Sequence, residues 1–222
     1  MNSSVITEEM VVAKERRNAD RLKEINSRKS RVAHAVEPEP NFPPECCCVK
    51  PMIYHNIREQ VPVPQQRFMY ILASCYVFLM ILILYNIVCA IVAFIFGGSA
   101  LGFGLSFLYL LGFPGAWMLW YYNVYCATVY LSRPRQLMAL LGLLLGFCFD
   151  AWMAVGVTNF GGMGFIYAIA RSGNLPSFIM ILVCAILWCC HGALMGYMFI
   201  RYWAASASLL KNASNIYAQA IV

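Results

Sequence analysis

Residues 69–96 read MYILASCYVFLMILILYNIVCAIVAFIF, twenty-eight residues without one Asp, Glu, Lys or Arg. A bilayer core of roughly 30 Å needs about 20 apolar residues in a helix, because a helix satisfies every backbone donor and acceptor within itself. This stretch exceeds that length, so it crosses the membrane with tilt or projects past the core. Three further stretches qualify, at about 103–121, 137–157 and 177–203. The expected fold class is an all-α integral membrane protein with four transmembrane helices and a mostly irregular N-terminal cytosolic arm.

Composition agrees. Of 222 residues, 61% are hydrophobic and 12% charged, too apolar for a soluble domain of this size. Nine of the ten acidic residues and eleven of the sixteen Lys and Arg precede Phe68, which separates a polar arm from an apolar body. The first forty residues show no secretory signal pattern, so the first span is expected to target the chain. The net charge of +6 carries no nucleic-acid motif and points to an anionic membrane surface instead. The chain divides into a charged arm over 1–37, a Pro/Cys-rich juxtamembrane segment over 38–68, the four-helix body over 69–203 and a tail over 204–222. Basic residues concentrate in the arm, in the loop between spans two and three and in the tail, so the positive-inside rule places these in the cytosol.

The segment before span one resembles a known family. Asn41, Phe42, Pro43, Pro44, then Cys47, Cys48, Val49, Lys50, Pro51, Met52, Ile53, Tyr54, and later Val61, Pro62 and Gln66, are similar to the corresponding segment of secretory carrier membrane proteins (SCAMPs). Phe103, Gly104, Leu105 and Ser106 match the opening of that family's second span, and Trp120 to Ala127 match its second loop. The resemblance implies a tetraspan protein of post-Golgi and recycling vesicles that organises membrane or recruits trafficking proteins in exocytosis and endocytosis, without catalysis or cofactor. It places the chain in the Golgi and trans-Golgi network, recycling endosomes, secretory vesicles and plasma membrane. Two departures matter: the family's Asn-Pro-Phe adaptor repeats do not occur, and two basic positions of its second loop hold Tyr122 and Cys126.

Candidate sites fall into three groups. Lys50, Arg58, Arg67, Tyr122, Tyr125, Arg133 and Arg135 are candidates for the membrane surface and its anionic lipids, including phosphoinositides. Cys46, Cys47 and Cys48 are candidates for S-acylation, about twenty residues before span one. Zinc there would need further ligands, and only His55 is near, so no metal is expected. The third group is intramembrane and polar: Asn86, Asp150 and His191. An ionisable residue at that depth points to function by default. The competing structural reading is an interhelical hydrogen bond from Asn86. Counted from the span ends, His191 lies roughly 9 Å deeper than Asp150, which argues against direct contact. Small residues Ala139, Gly142 and Gly146, and Gly192 and Gly196, allow close helix approach within the monomer or in a homo-oligomer.

The leading expectation is thus a secretory-carrier-type organiser or recruiter. The alternative is a small ion channel or proton-coupled transporter built on Asn86, Asp150 and His191. An enzyme is not expected, because the chain has no P-loop, zinc-protease motif or acid cluster.

Overall fold

The computed structural model describes residues 14–20, 23, 39–42, 50–51 and 53–221, with side chains through residue 207. Two compact units divide between His55 and Asn56, inside the stretch that composition marks as juxtamembrane. In the first unit, residues 14–20 are helical. Phe42 and Ile53 form an antiparallel bridge, Phe42 N–H donating to Ile53 O at 2.9 Å and Ile53 N–H to Phe42 O at 3.0 Å. The Asn41 side chain clasps His55, its amide donating to the His55 carbonyl at 3.0 Å while Oδ1 accepts the His55 N–H at 2.6 Å. Cys46, Cys47 and Cys48 lie outside the described residues.

The second unit is helical and has no strand among its described residues. A single turn, α1 (Ile57–Gln60), is capped by the Asn56 side chain and leads into the first span, α2 (Val63–Ile95). Pro64 sits in the first turn of α2, where its missing N–H costs nothing. A short turn opens α3 (Ala100–Tyr130), the second crossing. The third is α4 (Arg133–Val155), followed by the short α5 (Phe165–Ala170), and the fourth is α6 (Leu175–Ile221). Four helices are therefore long and apolar enough to cross a membrane, as the hydropathy pattern predicts.

The second crossing is longer and less regular than its sequence pattern suggests. It changes from α to 3-10 geometry over Phe107–Leu111, back to α, to π geometry over Trp117–Tyr121, and back to α over Tyr122–Tyr130. Pro114, lying between the irregular turns, lacks an N–H and disturbs the ladder on either side. Tyr122 to Tyr130, read from the sequence as loop, are thus the last turns of this helix. Leu131, at φ 51°, ends it.

Glycines set how closely the helices pack. An added Cβ at Gly142 would lie 2.0 Å from Leu119 O, so α4 touches the backbone of α3. Gly192 faces the Asp150 Cβ and Gly196 the Phe147 ring. The small-residue rows are therefore used inside the monomer.

Candidate functional site

Asn86 sits in α2, nine residues before its end at Ile95. Across the bundle it accepts a long contact from the Cys184 thiol of α6, at 4.0 Å. Its Nδ2 donates to Gly161 O at 2.9 Å and its Oδ1 accepts the Met163 N–H at 2.8 Å. Both partners belong to the segment after α4, read from the sequence as an outer loop. That segment is folded back into the bundle to the level of Asn86, about 14 Å below the end of α2. Gly156 ends α4 at φ 64° and lies against Gly164, where an added Cβ would be 2.1 Å from the Gly164 N. From there α5 climbs to Arg171, whose guanidinium donates to the Ala93, Phe96 and Gly97 carbonyls at the end of α2. The third crossing is therefore discontinuous: a helix, an unwound turn and a second short helix. Irregular backbone at membrane depth is tolerated where protein groups satisfy it, and Asn86 supplies them here.

This fold-back corrects the expected separation of Asp150 and His191. His191 Nδ1 lies 2.8 Å from Asp150 Oδ2, and both residues are 1% exposed. Counting from the span ends assumed that α4 ends at the membrane surface. It ends at the level of Asn86, and Asp150 is five residues further in, about 22 Å below the outer end of the bundle; His191, sixteen residues into α6, lies at about 24 Å. His191 Nε2 lies 3.0 Å from the Cys75 carbonyl of α2. A carbonyl only accepts, so Nε2 carries a hydrogen. One more proton then lies between Nδ1 and Oδ2, and the pair is neutral wherever that proton resides. Phe78 and Trp188 pack edge-on against the imidazole. Three of the four spans meet at this point. Asn86 and the Asp150–His191 pair form two separate networks, and in the second Asp150 Oδ1 has no partner among the described residues.

The surface candidates of the second unit gather at the opposite end. Arg58, Arg67, Arg133 and Arg135 are exposed, as is Lys50 in the first unit. Arg135 donates to Asn123 Oδ1 at 3.1 Å and lies over the Tyr122 ring at 5.9 Å. Asn123, which the sequence reading passed over, serves the π turn. There the Tyr122 N–H goes to Trp117 O, and the Asn123 amide donates to the Met118 and Leu119 carbonyls at 2.8 and 3.0 Å. Tyr125 does not face lipid, as expected of it, but is 1% exposed. Its hydroxyl accepts the Asn56 N–H at 3.0 Å and donates to Gln60 Oε1, pinning α1 to α3. The helical turns after Tyr121 rotate Tyr125 inward, a placement that reading them as loop could not give. Among the described residues no three His, Cys, Asp or Glu side chains are grouped to hold a metal.

Residues 39–208 match the sequence model of the SCAMP family. The chain belongs to that family. Among curated SCAMP relatives, it is 31% identical to "Secretory carrier-associated membrane protein 3" of Oryza sativa subsp. japonica over 55% of this chain and 43% of the relative. It is 27% identical to "Secretory carrier-associated membrane protein 4" of Homo sapiens over 74% of each, and 38% identical to "Secretory carrier-associated membrane protein 2" of Arabidopsis thaliana over 35% of this chain and 28% of that one. The aligned part thus spans less than half of these plant SCAMPs and about three quarters of the human one. No solved structure matches the chain. The family match begins in the clasped first unit and takes in both buried polar networks, the fold-back and the basic end.

Proposed function

We propose that this SCAMP is a non-catalytic membrane organiser of post-Golgi and recycling vesicles, acting in exocytosis and endocytosis by recruiting trafficking proteins to its cytosolic end. The observation that carries this reading is the family match over residues 39–208. Charge supports the orientation. Arg58, Arg67, Arg133, Arg135 and Arg201 belong to one end of the bundle, whereas Arg171 at the other end is engaged with α2 carbonyls. With the basic end in the cytosol, an even number of spans puts both termini there, against an anionic leaflet. The intramembrane candidates support organisation over ion conduction, because Asn86, Asp150 and His191 are each hydrogen-bonded to a neighbouring segment of the bundle.

Depletion of the protein tests the reading. Slowed cargo recycling or exocytosis, restored by re-expression, is the expected result. Normal trafficking accompanied by altered ion homeostasis would count against it.

A further inference from the structure

The corner after Leu131, the first turns of α2 and the last membrane turns of α6 enclose a pocket of about 180 Å3 at the basic end. Its polar lining is Gln65, Thr128, Gln136, Arg201, Tyr202 and Ser206. Arg201 is exposed, its guanidinium lies 6.0 Å over the Tyr197 ring, and it has no carboxylate partner among the described residues. Ser206 is 7% exposed and its hydroxyl has no hydrogen-bond partner among the described residues. A buried hydroxyl left unpaired is costly, so a ligand that accepts from it is favoured. Thr128 is already turned to the Val124 carbonyl at 2.8 Å. Arg201, Ser206, Gln65 and Gln136 line this one pocket with no acid among them, which selects an anion.

Size and setting narrow the ligand. The remaining walls are apolar, including Phe68, Ala127 and Leu131, so the anion arrives on an apolar stem. The volume lies below the range of about 300–1,000 Å3 usual for ligand pockets, which leaves room for a phosphate and little beyond it. A zwitterionic headgroup would bring an ammonium that no carboxylate meets. We infer that this pocket binds one membrane lipid through an unsubstituted phosphate monoester headgroup, as in phosphatidic acid. The inference is independent of the trafficking role: it concerns a pocket among spans one, two, three and four, not the recruitment of proteins.

The full chain, purified in detergent, would be titrated with phosphatidic acid and the bound lipid counted by native mass spectrometry. Arg201→Gln should weaken retention by about tenfold, the loss expected for a charge-assisted contact, with Ser206→Ala weaker by a smaller factor. Arg17→Gln, at an exposed cation of the arm that does not line the pocket, should leave retention unchanged. An equal loss in Arg17→Gln would show general surface charge and overturn the site. Full competition by inorganic phosphate would reassign it to a soluble anion, and displacement by equimolar phosphatidylcholine or a phosphoinositide would overturn the headgroup assignment. Unchanged retention in Arg201→Gln would overturn the proposal outright.

Discussion

Asp150 and His191 share a proton in a buried site, and removing either partner strands the other. Asp150→Leu or His191→Leu alone should destabilise the protein by about 3–5 kcal/mol, the cost of breaking a buried pair. The double Leu variant should recover a large part of that loss, because an apolar replacement of both partners leaves no stranded group. Thermal unfolding of the three variants in detergent measures this; a double variant as unstable as the sum of the singles would show that the pair is not the unit. His55 gives a pH dependence outside the membrane. Burial pushes its pKa below the ordinary 6.5. The clasp with Asn41 is therefore fully stable above that value and weakens as pH falls through it, where the open chain takes up a proton that the clasped one resists. Hydrogen exchange at the Phe42 and Ile53 amides, corrected for intrinsic rate, should be faster at about pH 5.5 than at about pH 7.5.

At the scale of elements, the third crossing depends on one side chain of another. Asn86→Leu removes the donor and acceptor that satisfy Gly161 O and Met163 N, at a cost of about 1–3 kcal/mol for each buried group left unpaired. The unwound turn should then loosen. Faster amide exchange at Met163, with α2 itself unchanged, is the expected signature. Gly156→Ala attacks the same turn from the backbone: the left-handed φ and the 2.1 Å approach to Gly164 both exclude a side chain. The second crossing has its own internal support in Asn123, whose amide takes up carbonyls displaced by the π turn. Helix irregularity and side-chain rescue occur together at both places, because the bilayer offers no water to replace a lost hydrogen bond.

For the whole molecule, both termini on the cytosolic side is the prediction that organises the rest. Tags at the N- and C-termini should both be digested by protease added to sealed vesicles, while a tag inserted at Ser172 should be protected. The reverse pattern would invert every assignment of the basic end. Four spans and the polar arm were legible because transfer of each helix into lipid depends on its own residues. The charge asymmetry was legible for the same reason. The pairing of Asp150 with His191 was not, since it required knowing where α4 ends in depth, and that depends on a segment whose glycines resemble those of any surface turn. Tyr125 and Asn123 were hidden likewise: each looks like an interfacial residue until the helix around it fixes its direction.

Sequence alone therefore determined that this chain lives in a membrane, how often it crosses and which family segment precedes the first crossing. Tertiary structure decided which polar groups meet, because hydrogen bonds among residues 41 to 116 positions apart cannot be read from local composition. In a medium without water, those bonds fix the depth of every segment they join.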